Sequence, residues 1–137
     1  MITKLFASTD QKIPSIGQGC DLISTNSSLN DYSISELEYS VATGIDLGMN
    51  FIDTAETYGD GLSEKLIGRV VKGFRQDVFI ATKVAPQNSR LKDLILSCES
   101  SLLRLQTNYI DLYQVHWRNS AVPISETMEA MSLLVEQ

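Results

Sequence analysis

The chain has 137 residues, 43% of them hydrophobic and 20% charged, a balance that suits one globular domain and excludes a disordered segment. Its 17 acidic residues outnumber 11 basic ones, and the net charge of -6 argues against a nucleic-acid partner, since a phosphate backbone calls for a basic surface. Two cysteines make a poor disulfide framework, Met1–Ala7 lacks the apolar run of a signal peptide, and no apolar stretch nears the ~20 residues that cross a bilayer, so a cytoplasmic protein without a membrane partner is expected.

Two short apolar runs, Leu5–Ala7 and Ile13–Ile16, flank the polar stretch Ser8–Lys12 and predict a β-hairpin leading into a first strand around Ile16–Cys20. Gly17 and Gly19 allow close backbone approach at that strand's end. Asp21–Tyr32 is polar and reads as a loop. Ser33 and Glu36 have the spacing of a capping box, and the helix they open carries Ile34, Leu37, Val41 and Ile45 on one stripe before stopping near Gly48. Met49–Ile52 reads as a short buried strand, and Gly59-Asp60-Gly61 as a turn. A second helix starts at Ser63-Glu64, buries Leu62, Leu66, Ile67, Val70 and Val71, and is closed by Gly73. Asp77–Lys83 is a third strand, apolar without interruption as a strand covered on both faces should be. A third helix spans about Ser89–Leu105 with Leu91, Leu94, Ile95, Cys98, Leu102 and Leu105 inward; Tyr109–His116 is the fourth strand. Pro123 and Ser125 open a fourth helix with Ile124, Met128, Met131 and Leu134 on one core stripe.

The order is a hairpin followed by strand–helix four times, which makes the fold class α/β with a parallel sheet and right-handed crossovers. Four such βα units fit an open sheet with helices on both faces, or half of an eight-stranded barrel, a fold of roughly 250 residues. Periodicity does not choose between them.

Four polar residues fall at or just past successive strand ends: Asp53, then Tyr58 in the following loop, then Lys83, then His116, the only imidazole. In a parallel array those ends share the face where such folds place their chemistry. A free phenol is too weak an acid to donate efficiently at neutral pH, but a cation beside it stabilises the phenolate, and Lys83 is the suitable cation. Asp53 would hold Lys83 in place, and His116 would hydrogen-bond a substrate oxygen or relay a proton. This set suits reduction of a carbonyl, with a proton to oxygen and a hydride to carbon; no side chain supplies hydride, so a nicotinamide cofactor is implied. Taken singly, each has a plainer explanation: an Asp or Lys at a strand end is more often a cap or a solvated charge, a lone His more often structural, and a Tyr often a half-buried aromatic with a wet hydroxyl. Their recurrence at successive strand ends is what favours a site.

Other constellations fail. Gly17-Gln18-Gly19 begins like a dinucleotide fingerprint, yet Leu22 stands at the third glycine position. There is no phosphate-cradling Gly-Lys-Ser/Thr loop and no Gly-x-Ser-x-Gly elbow, and one His with two distant Cys makes no closed zinc site, so no metal is expected. Cys98 falls at a core position and reads as inert; Cys20, at a strand end, is nearer the cleft, with packing the stronger reading. The Met128/Met131 stripe reads as core.

Asn50-Phe-Ile-Asp-Thr-Ala-Glu-Thr-Tyr-Gly59 followed by Ser63-Glu64, with Ile80-Ala-Thr-Lys83, Ser101-Leu-Leu-Arg-Leu-Gln106 and Tyr109-Ile-Asp-Leu-Tyr-Gln-Val-His-Trp117, resembles the aldo-keto reductase family over essentially the whole chain. The resemblance implies a catalytic tetrad of Asp53, Tyr58, Lys83 and His116, a TIM barrel of which these four βα units are the N-terminal half, and NADP(H) as cofactor. It implies that Gly19, Cys20, Asp21 and Asp53 border the cofactor, and that Tyr58, His116 and Trp117 line the cleft for a small-molecule aldehyde or ketone. Cys20 departs from the commoner Thr and Arg118 from the Pro often found after the Trp. In the family a fifth strand and later units hold the nicotinamide amide and the adenosine 2′-phosphate; residues 1–137 are accordingly expected to form a reductase domain truncated after its fourth βα unit. The alternative is a catalytically inactive half-barrel that acts as a binding or assembly module, self-associating through exposed sheet edges.

Overall fold

In the spatial order of its strands the chain follows its sequence order, and that decides the architecture. The computed structural model describes residues 1–21 and 33–137; the predicted loop lies, beyond Asp21 itself, outside the described residues. An antiparallel hairpin, β1 (Thr3–Leu5) and β2 (Lys12–Pro14), is followed by a parallel sheet ordered β3 (Gln18–Gly19), β4 (Phe51–Asp53), β5 (Phe79–Val84), β6 (Leu112–Val115). Helices α1 (Ile34–Asp46), α2 (Leu62–Val70), α3 (Leu91–Leu105) and α4 (Ile124–Glu136) alternate with the strands. Each crossover advances by one strand, as in a barrel wall; a doubly wound sheet would reverse its order part-way.

The register places the functional end of the sheet: Gly19 pairs with Asp53, Asp53 with Ala81, and Lys83 with Gln114. At the opposite end the hairpin covers the strand starts, where Phe6 packs on Phe79 and Phe79 stacks on its register partner Phe51, both pairs with centroids 5.1 Å apart. The main core gathers Val41, Ile52, Leu66, Ile67, Val71, Val78, Ile80 and Leu105 between the sheet and the helices, and a second cluster joins Val84 and Leu94 to Ala130. α2 and α3 meet backbone to backbone: a methyl on Gly68 would lie 2.5 Å from the Leu105 carbonyl oxygen. The Gln18 side-chain amide donates to the carbonyls of Val41 at 3.2 Å and Met49 at 2.9 Å, passing over Gly44, where a methyl would collide with it.

The strands are shorter or shifted relative to their predicted spans. β3 is two residues long: the chain bends at Ser15–Ile16, and Gly17 leaves no room for a side chain against Phe51. Arg75–Asp77 form a 3₁₀ turn, so β5 starts at Phe79. β6 starts at Leu112 because the Asp111 carboxylate is spent on the Ile80 amide at 2.8 Å and the Arg75 guanidinium at 2.6 Å. The capping box at Ser33 and Glu36 is formed. Two stripes are corrected: Ile34 on α1 is exposed, and α4 turns Thr127 and Ala130 inward while Ile124 and Met128 are exposed. Thr127 is drawn in by its hydroxyl, which donates to the Ser89 carbonyl at 3.0 Å.

Candidate active site

Alternation along β5 sends neighbouring side chains to opposite faces. Thr82 turns outward, where its hydroxyl donates to the fully buried Glu64 at 2.6 Å; Lys83 turns inward. Its ammonium has three N–H donors and three acceptors: the Asp53 carboxylate, the Thr54 carbonyl at 2.8 Å and the Tyr58 hydroxyl oxygen at 3.4 Å. With its oxygen facing the ammonium, the phenol keeps its own proton free to donate elsewhere. Asp53, the last residue of β4, is held in turn by its carbonyl, which accepts the Cys20 N–H at 2.9 Å.

His116 extends the β6 ladder by one bond, donating its N–H to the Val84 carbonyl at 3.0 Å. That sets its ring edge-on to Tyr58, centroids 5.5 Å apart, with Nδ1 3.4 Å from the Thr57 hydroxyl. Partial burial, and then the positive charge of Lys83, push the imidazole below its usual value, so it is neutral at pH 7. Trp117 stacks on its other side and is itself mostly in solvent.

The structure therefore brings Asp53, Tyr58, Lys83 and His116 together, with Trp117 at the rim. The β3 end is divided. Gly19 stands beside Asp53 with no atom within 4 Å of where a side chain would start, Asp21 is exposed, and Cys20 is buried in the core with its thiol pushed up to about 12 by burial and then by the Asp53 charge. Open glycine backbone next to the Asp53–Lys83 pair fits the flat reactive end of a nicotinamide cofactor. Of the arginines, Arg69, Arg75 and Arg104 pair closely with Glu38, Asp111 and Glu64, and Arg90 lies 3.7 Å from Glu126, while Arg118 is exposed next to Trp117.

The sequence reading missed the polar layer behind the site. Glu56, Glu64, Ser97 and Arg104 join α2 and α3 to the loop that carries Tyr58. A signal existed: Ser97, Ser101 and Arg104 put polar groups on the otherwise apolar inner stripe of α3.

Comparison with known proteins agrees with this geometry. The description of the aldo/keto reductase family matches residues 19–137. The chain is 40% identical over 130 residues to methylglyoxal reductase YeaE of Escherichia coli, covering 95% of this chain and 44% of that one. Against aldo-keto reductase YhdN of Bacillus subtilis it is 43% identical over 107 residues, covering 71% and 32%. A thermostable aldo-keto reductase solved with the inhibitor epalrestat superposes with a TM-score of 0.91 at 40% identity, covering all of this chain and 50% of the other. An aldo-keto reductase from Klebsiella pneumoniae solved with NADPH gives 0.80 at 36%, covering 91% and 42%. The chain spans half or less of the length of these relatives, and its four βα units correspond to part of their TIM barrels. In sequence and in fold alike, it belongs to the aldo/keto reductase family.

Proposed function

We propose that residues 1–137 are the proton-donating half of an NADP(H)-dependent reductase of a small aldehyde or ketone, a domain that closes with four further βα units. The observation that carries this reading is the triple contact of Lys83, which holds Asp53, the Thr54 carbonyl and the Tyr58 oxygen at once. When bound, the cofactor supplies a hydride to the carbonyl carbon; Gly19, Asp21, Asp53 and the backbone of Cys20 would border it. The chain's own residues do the rest. Tyr58 gives its proton to the carbonyl oxygen, and the phenolate left behind is held by the Lys83 ammonium until a proton returns from solvent. His116, neutral and with Nδ1 facing the Thr57 hydroxyl, presents Nε2–H to the substrate oxygen and orients it. Trp117, stacked on His116, forms one wall of the cleft. Both cysteines are free and buried, which suits a reducing cytoplasm.

The test joins this chain to the C-terminal four βα units of a relative. In that barrel Tyr58→Phe lowers turnover by at least about 100-fold with little change in cofactor binding, the range for losing a general acid. Wild-type turnover in the variant overturns the assignment.

A second reading is that the half-barrel serves as an assembly module. It is favoured by β6, whose residues are only half-buried, and by the adjoining apolar groove of about 850 Å³ lined by Tyr113, Val115, Met128, Met131 and Leu134. Light scattering decides: a stable dimer supports it, and a soluble monomer ends it.

A further inference from the structure

Three contacts toward the site come from one short loop. Between Asp53 and Tyr58 the Thr54 carbonyl meets Lys83 at 2.8 Å, the Thr57 hydroxyl lies 3.4 Å from His116 Nδ1, and the Tyr58 hydroxyl lies 3.4 Å from Lys83. A loop is normally the mobile part of such a fold, and a phenol 1 Å out of place loses its proton-transfer geometry. Something must hold it.

Glu56 is the loop residue that points the other way. Its side chain is 10% exposed, and it reaches across the end of β5 into the turn that follows. One oxygen accepts the Ala85 N–H at 2.5 Å and the Asn88 amide at 3.0 Å; the other accepts the Ser97 hydroxyl. Its own N–H donates to the Lys83 carbonyl at 3.2 Å. Glu56 thus grips the β5 backbone on both sides of Val84, one residue from the side chain that must meet Tyr58. Behind it, Arg104 lies 3.9 Å from Glu56 and donates to Glu64 at 2.6 Å, while Glu64 takes the Thr82 hydroxyl. Two carboxylates bridged by one guanidinium therefore hold residues 82–85 from behind, and bonds to ionised carboxylates are among the stronger hydrogen bonds a protein makes.

We infer that Glu56 is a positioning residue: its carboxylate clasps the loop to the β5–α3 turn and so sets the distance between Tyr58 and Lys83 and the edge-on approach of Tyr58 to His116. This rests on the reaction proposed above for its meaning, but not for its test, which uses no turnover.

The test is magnetic resonance on the 137-residue chain. The Tyr58 and His116 rings, centroids 5.5 Å apart, give a cross-relaxation contact in the parent chain. In Glu56→Ala that contact is lost and exchange of the Ala85 amide rises about tenfold or more, the effect of removing a charge-assisted bond. Glu56→Gln keeps an acceptor for the Ala85 N–H and retains both signals. A ring contact that persists in Glu56→Ala with Ala85 as protected as before overturns the inference, and so does equal loss in Glu56→Gln, which would mean general loosening. Should Glu56→Ala fail to fold, the double variant Asn88→Ala/Ser97→Ala strips two of the three hydrogen-bond donors from the Glu56 carboxylate: a weakened ring contact together with faster Ala85 exchange supports the inference, and both signals unchanged overturn it. Failure of the Tyr58→Phe test would leave these outcomes unchanged, so the two proposals fall separately.

Discussion

The imidazole of His116 lies flat on the indole of Trp117, ring centroids 3.8 Å apart and planes 10° from parallel. Trp117 is the chain's single tryptophan, so an optical reporter sits directly against the imidazole of the candidate site.

Trp117 emission should therefore follow the protonation of His116, with a midpoint below the usual imidazole value of 6.5, because burial and then the Lys83 charge disfavour the imidazolium. Lys83→Met should raise that midpoint: it removes the repelling cation and leaves the Asp53 carboxylate unmatched. The sign for stability follows. The unfolded chain takes up this proton first, so the His116 contribution is complete above pH 6.5 and is lost as pH falls from there through the folded midpoint. A midpoint at or above 6.5 contradicts the geometry.

Gly68→Ala should destabilise the chain although it adds a good helix former. Replacing a mid-helix glycine gains roughly 0.5–1 kcal/mol of propensity. Here the added methyl would lie 2.5 Å from the Leu105 carbonyl oxygen and 2.9 Å from that of Arg104, which are backbone atoms of the neighbouring helix and cannot swing away. Separating packed elements to relieve such overlap costs about 1–3 kcal/mol, so a net loss near 1–2 kcal/mol is expected in urea unfolding. A gain in stability would show that α2 and α3 stand further apart.

Cys20 and Cys98 should resist alkylation in the folded chain and react together once it unfolds. Their thiols are pushed up to about 12 and about 11, in both cases first by burial, and the thiolate is the reactive species. Labelling at equal rates with and without urea would place at least one of them at the surface.

The 137-residue chain alone should bind NADPH no better than about millimolar and show no measurable reductase activity, since four of its five arginines already face carboxylates. Adding the C-terminal four βα units of a relative as a separate polypeptide should raise the affinity. Isothermal calorimetry checks both, and micromolar affinity for the monomeric chain would mean that its described residues hold a phosphate grip of another kind.

Local signals read well from the sequence because they depend on neighbours a few residues apart. The Ser33/Glu36 capping box, the α2 and α3 stripes and the strand–helix alternation all belong to that class. The candidate site was legible for a different reason: parallel strands put their ends on one face, so Asp53, Lys83 and His116 could be grouped without knowing any distance. What escaped depends on pairs far apart in the chain. Nothing near Asp111 shows that it will take the Ile80 amide and Arg75 and so delay β6, and nothing near Glu56 shows that its partner is Ala85. The α4 stripe held for Met131 and Leu134, which pack on the second core cluster, but not for its first half: Thr127 finds the Ser89 carbonyl, which leaves Ile124 and Met128 outside.

The Gln18 amide spans the space that Gly44 leaves empty, and this ties two distant positions into one evolutionary unit. A methyl at 44 would evict the amide and strand the Val41 and Met49 carbonyls it serves; a shorter residue at 18 would open a void over the glycine. Neither position can drift alone. Descendants of this sequence should keep both residues or exchange both, with a bulkier side chain at 44 accompanied by a smaller one at 18, and a lineage that broke the pairing would have had to find another way to moor α1 to the start of β4.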